Sequence, residues 1–169
     1  MDLELPEAIL QSWRTGSRAT RFLVEELNDE VWGEKLPGMP RRTIRMICGH
    51  IHNCRCMYVN GLGKPLGLPL PDKVSRYRVE REELIAALDE SAAAVSALIR
   101  AILEDGGLLR RSGMFHLAPD VAHFAAYLIA HEAHHRGQIV MLCRQMGHRL
   151  PGNVTNGLWQ WAKFSKEED

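Results

Sequence analysis

Apolar residues recur along this chain at spacings of three and four, and no stretch alternates apolar with polar residues long enough to suggest a sheet, so the pattern predicts an all-α fold. A first helix opens at Leu5-Pro6-Glu7, with proline at a first-turn position, turns Ile9, Trp13, Thr20, Leu23 or Val24 and Leu27 inward, and ends near Asn28-Asp29. A second begins after Pro40, with Thr43 as its cap, and runs to about Gly61. A third covers Glu80 to about Glu104 and stops at Gly106-Gly107. The fourth starts at Pro119-Asp120 and ends at Gly147 ahead of Pro151, roughly 28 residues or on the order of 40 Å at 1.5 Å per residue. The tail, Asn156 to Phe164, makes one short helix that packs Trp159 or Trp161.

Between Gly61 and Tyr77 lies GLGKPLGLPLPDKVSRY, whose three prolines and three glycines forbid a continuous helix and predict a long, partly extended crossover. Four long helices with one long connection fit a four-helix bundle in which the crossover joins two neighbours running parallel. An open helical array would bury these amphipathic faces less completely. There is no internal repeat and no sign of a second domain, so residues 1–169 read as one domain.

Composition narrows the function. Lysine plus arginine (21) balances aspartate plus glutamate (21), which leaves no overall field to draw nucleic acid or an anionic membrane. The short runs Arg41-Arg42 and Arg110-Arg111 read as solvated helix or loop ends. The N-terminus, MDLELPEAIL, is acidic and lacks the blocks of a signal peptide, and no uncharged apolar run approaches the roughly 18 residues that span a bilayer. A cytoplasmic protein is expected. Cys48, Cys54 and Cys56 crowd into one segment with Cys143 far away, a pattern that predicts free thiols in a reducing compartment.

Candidate chemistry is concentrated in the fourth helix, whose apolar stripe runs Phe124, Leu128, His131, His135, Gln138 or Ile139, Leu142 and Gln145 or Met146. Two imidazoles four residues apart share one helix face and can bind one ion; the alternative is a pair of core histidines with ordinary hydrogen bonds. In the second helix, Ile47, His50, Cys54 and Met57 share a stripe, which makes His50 the inward candidate, while His52 falls with Arg45 and Arg55 and is expected on the surface. Cys54, one turn beyond His50, reads as a small core residue or a neighbour of the ion. His134 is expected to be structural or to support a ligand, and His116, His123 and His148 to be surface residues.

The string Ala130 to Gln138, AHEAHHRGQ, also contains a literal His-Glu-x-x-His, the zinc-protease pattern. Such proteases need a downstream third ligand. Here Gln138 and Met141 stand at the extended-motif positions, and after Glu132 the next acidic residues are Glu167 and Glu168 in the tail.

The segments HEAHHRGQIVMLCRQMGHRLP, RTIRMICGHIHNCR and GLWQW together resemble the DinB-like (DNA-damage-inducible) family of four-helix metal-binding proteins, over nearly the whole chain. The resemblance implies an up-down-down-up bundle, a homodimer, and a divalent metal held by one histidine of the second helix and two of the fourth. By position these are His50, His131 and His135. The wider superfamily includes bacillithiol transferases and mycothiol-dependent isomerases, so the resemblance implies a metal-dependent thiol S-transferase acting on a small electrophile.

Three imidazoles leave a coordination position open, as a catalytic site does. Zinc or nickel leads as the ion, with iron or manganese as alternatives, and a low-molecular-weight thiol as the second cofactor. Two other readings stand beside the transferase: metal-assisted hydrolysis with Glu132 or His134 as proton carrier, and a metal-binding dimeric module without turnover. Glu132 lies about 100° around the helix from His131, which counts against the hydrolase.

Overall fold

The structure is a computed structural model and describes residues 4–110 and 117–166. Helix α1 (Leu5–Glu25) starts where the sequence places it, with Pro6 in the first turn, but its cap is Glu26. Asn28 does not continue the helix. Its side chain accepts a hydrogen bond from the Val31 amide at 3.4 Å and starts α2 (Asp29–Trp32), a single turn. The chain then forms an antiparallel hairpin of β1 (Lys35–Leu36) and β2 (Met39–Thr43), turning at Gly38 with φ 69°. This hairpin corrects the expectation of a chain without sheet: its strands are too short to show an alternating pattern, and Pro40 lies within β2 and not directly before a helix.

Thr43 caps α3 (Ile44–Tyr58), its hydroxyl accepting from the Met46 amide at 3.3 Å. The crossover opens with a π-helical turn, Val59–Gly63, and a 3-10 turn, Lys64–Leu66, closed by Gly67 at φ 71°. Helix α4 (Arg81–Glu104) carries a reciprocal cap between Glu80 and Glu83. Asp120 caps α5 (Val121–Gln145), accepting from the His123 amide at 3.0 Å. The tail is two short helices, α6 (Gly152–Gly157) and α7 (Trp161–Phe164), and it anchors differently from expectation. Trp159 is 83% exposed and Trp161 37%, while Val154 and Phe164 are buried. Phe164 packs against Phe22 with the rings tilted by 53°, and Gly157 approaches the Phe22 ring so closely that a Cβ would lie 2.8 Å from it.

Contacts between side chains fix the helix directions. Gly16 meets Ile129 and Thr20 meets Glu132, so α1 and α5 run parallel. Arg55 reaches the Leu88 carbonyl and Gly63 meets Leu98, so α3 and α4 are parallel too. Trp13 donates to Ala92 and Arg21 pairs with Asp89, which sets α1 against α4 in the opposite sense. The bundle is therefore up-down-down-up, and the long crossover joins the two parallel down helices.

Two apolar clusters fill the bundle. One gathers Leu23, Leu27, Ile44, Ile51, Leu84, Leu88 and Ile139, and the other Leu10, Trp13, Tyr58, Leu98, Phe124 and Leu128. Between them, on each of the four long helices, lies a polar layer: Thr20 on α1, His52 and Arg55 on α3, Ser91 on α4, Glu132 and Arg136 on α5, all buried. Burying charge is tolerable when pairing and hydrogen bonds compensate it: Arg55 and Glu132 form an ion pair, and Arg136 donates to the Gly16 carbonyl and the Thr20 hydroxyl. Arg55 clasps Glu132 through Nε (2.7 Å to Oε1) and Nη2 (2.9 Å to Oε2) and donates to the Leu88 carbonyl at 2.9 Å. Thr20 donates to Glu132 at 2.6 Å and accepts from Arg136 at 2.7 Å. Among the described residues no helix is long and apolar enough to cross a membrane.

Candidate metal centre

Antiparallel packing of α3 on α5 brings His50 opposite His131 and His135. Each offers a ring nitrogen within 4.8 Å of the others, the one such group of three or more potential ligands among the described residues. The Nε2 atoms of His131 and His135 are 3.2 Å apart. That is the separation of two nitrogens bound at about 2.0–2.1 Å to one ion with an angle near 100° between them. The Gln138 carbonyl oxygen accepts from His135 Nδ1–H at 2.8 Å, which leaves the lone pair on Nε2, facing His131. The Gln138 amide nitrogen donates to His134 Nε2 at 2.9 Å, so the exposed His134 braces the residue that orients His135. Tyr127 stacks on His131 with an interplanar angle of 17° and receives a hydrogen bond from the Tyr58 hydroxyl.

The electrostatics keep these imidazoles neutral, the form that binds metal. Burial, followed by the neighbouring His135 and His131 and by Arg76 and Arg42, pushes the His50 pKa down to about 4. Burial is also the main cause that lowers His131 and His135 below their ordinary value, assisted by neighbouring histidines. Donor type, spacing, tautomer and charge state all fit a divalent transition ion. Cys54 Sγ lies against the His50 ring at 3.5 Å, outside the three-histidine group, and burial raises its thiol pKa.

His50 and His135, with Gln138, form part of the wall of a cavity of about 630 Å³. The hairpin contributes Leu36, Met39, Arg41 and Arg42, the crossover Arg76 and Tyr77, and the two helices Met46, Ile47, Met141 and Leu142.

The other expectations divide. His52 is not a surface residue: it is fully buried, with Nε2 donating to the Asp72 carbonyl at 2.9 Å and Nδ1 taking the Ser91 hydroxyl at 3.1 Å. It clamps the crossover to the bundle. Arg55, placed on the same outer face by the helical stripe, is buried as well. Glu132 points into the polar layer; burial alone would raise its pKa, but Arg55, Thr20 and Arg136 outweigh that and hold it below the ordinary glutamate value. The glutamate of the His-Glu-x-x-His string is thus engaged in a buried ion pair. His123 is exposed beside Asp120, and His148 pairs with Glu34 at 3.0 Å at the margin of the bundle. His116, Glu167 and Glu168 lie outside the described residues. All four cysteines are free.

The features missed in the sequence are the Arg55–Glu132–Arg136 layer and the cavity wall. An arginine within a turn of the histidines, Arg55 in HNCRC and Arg136 in HHRGQ, was the available signal for the first. Nothing local signals the second, because its hairpin and crossover meet only in three dimensions.

A model of the DinB family matches residues 3–167. The chain belongs to the DinB family. This member is 27% identical over 161 residues to the uncharacterized protein YrdA of Bacillus subtilis, which covers 94% of this chain and 93% of that protein. It also resembles the crystal structure of a DinB-like protein from Bacillus cereus ATCC 10987, with a TM-score of 0.59 and 25% identity over 86% of this chain and 95% of the other.

Proposed function

We propose that this DinB-family protein holds a divalent transition metal, zinc or nickel first and iron or manganese next, through His50, His131 and His135, and transfers a small thiol to an electrophile. The observation that carries the reading is the convergence of three neutral imidazoles, two of which, His50 and His135, line a cavity large enough for a small molecule. Bound there, the ion would supply Lewis acidity and hold a thiol as its thiolate. The chain's own residues do the rest. Gln138 fixes the ring of His135, the Tyr58–Tyr127 pair backs His131, and the methionines of the wall offer a polarizable surface to an apolar electrophile. In the transfer a sulfur–carbon bond forms, the leaving group departs with the bonding pair, and the thiol proton passes to solvent. Hydrolysis lacks a comparable support, because Glu132 is buried in an ion pair and His134 is engaged by Gln138. The same reading takes the protein as a cytoplasmic homodimer acting on a small molecule, with neither nucleic acid nor membrane as partner.

Cobalt substitution tests it. A low-molecular-weight thiol is expected to produce a sulfur-to-cobalt charge-transfer band, lost together with bound metal when His50, His131 and His135 are all changed to alanine. Full metal content in the triple variant would overturn the site. Turnover of esters or amides without thiol would replace the transferase by a hydrolase.

A further inference from the structure

Arg41 and Arg42 of the hairpin and Arg76 of the crossover all line the cavity that contains His50 and His135, and no aspartate or glutamate lines it. In a chain of zero formal charge this is a local concentration, which the bulk composition does not produce. Neighbouring arginines are engaged: Arg45 donates to the Tyr77 carbonyl and pairs with Glu80, Arg55 with Glu132, Arg81 with Asp29. Among the described residues Arg41, Arg42 and Arg76 have no such side-chain partner. Unpaired guanidinium groups on a concave wall are forks shaped for a carboxylate or phosphate.

The position of Arg76 is built in. Asn53 on α3 holds the backbone of Val74 through two hydrogen bonds, 3.0 Å to its carbonyl and 2.9 Å from its amide. Arg45 holds Tyr77 on the other side. Gly49, next to His50, lets the crossover come so near that a Cβ there would lie 3.3 Å from the Arg76 Cα. The remaining wall, with Met39, Met46, Ile47, Met141 and Leu142, is apolar.

We propose that Arg41, Arg42 and Arg76 form an oxyanion-binding subsite beside the histidine cluster, so that the small molecule bound here carries a carboxylate or phosphate group joined to an apolar segment. The inference extends the functional reading above by naming the class of its thiol or electrophile. The oxyanion is held at the arginine wall, and the apolar segment runs along the methionines toward His50 and His135.

Two titrations separate this proposal from the reading it rests on. The first is calorimetry of the whole protein, without added metal, with succinate, inorganic phosphate and the neutral succinamide. One of the two anions is expected to bind at least about tenfold more tightly than succinamide, the factor for one charge-assisted hydrogen bond, and its identity distinguishes carboxylate from phosphate as the natural group. The preference is expected to disappear in Arg42→Gln/Arg76→Gln, with Arg41→Gln as a second variant on an exposed strand if the double one unfolds. Equal binding of all three probes, no binding at millimolar concentration, or an unchanged preference in the variants overturns the subsite. The second titration follows the charge-transfer band of the cobalt protein with mercaptosuccinate and thioglycerol. A preference for mercaptosuccinate that the arginine variants lose supports both readings. Absence of a band with either thiol sinks the thiol chemistry, while the succinate and phosphate result still decides the subsite.

Discussion

Glu132 sits one residue from a candidate ligand, yet its carboxylate belongs to the bundle interior, 2.7 and 2.9 Å from two guanidinium nitrogens of Arg55. Removing one partner of a buried pair leaves the other charge uncompensated, at a cost of about 3–5 kcal/mol. Glu132→Ala is therefore expected to lower stability by that amount in urea unfolding, roughly 6–20 °C in melting temperature for a chain of this size. An unchanged midpoint would mean that the pair is not holding the helices together. Gln138 acts differently. It orients a ring without carrying buried charge, so Gln138→Leu is expected to keep the fold and weaken metal binding by about 10–100-fold, the usual effect of losing a ligand's outer hydrogen bond. Competition against a chelator of known affinity measures it, and a constant of unaltered size would show that His135 needs no such support.

Helix α5 was legible in the sequence because its cap, glycine stop and apolar stripe agree, and its stripe already held His131 and His135. Helix α3 was legible only in part. A single inward stripe through Ile47, His50 and Cys54 supposes one covered face, whereas α3 is covered by α4 and α5 on one side and by the crossover on the other. Ile47, His50 and Cys54 are accordingly half-buried at the margin, while Cys48, Ile51, His52, Arg55 and Cys56 are buried. His52 and Arg55 escaped the reading because a polar residue in a helical pattern looks solvated until its partners, the Asp72 carbonyl and the buried Ser91 and Glu132, are brought in from elsewhere in the chain. The crossover was legible as irregular chain, but its close seating on Gly49 depends on packing that no local pattern encodes. Gly49→Ala tests that seating: the Arg76 backbone must yield by a few tenths of an ångström, so stability is expected to fall by about 1–3 kcal/mol, as in other overpacked sites. A crystal structure of the variant with Arg76 undisplaced and stability unchanged would show that the approach is loose.

At the scale of the whole molecule, the question is whether the bundle needs its metal. Three ligands tie α3 to α5 at one point, whereas two apolar clusters and the polar layer join the four long helices over their length, each 100 Å² of buried apolar surface contributing about 2.5 kcal/mol. In a zinc finger the metal supplies the folding energy itself; here it is an addition to a core that already exists. Exhaustive chelation is expected to leave the far-ultraviolet circular dichroism helical and to lower the melting temperature by degrees. The metal-free protein should then become sensitive to acid, and the sign follows from the histidines. His50, His131, His135 and His52 all have folded pKa values below the ordinary 6.5, His50 at about 4, so between pH 6.5 and 4 the unfolded chain binds more protons than the folded one. Stability is fully present above pH 6.5 and falls as pH drops through that window. A spectrum collapsed to random coil at neutral pH after chelation would instead make the metal structural and remove the main support for an open, reactive site.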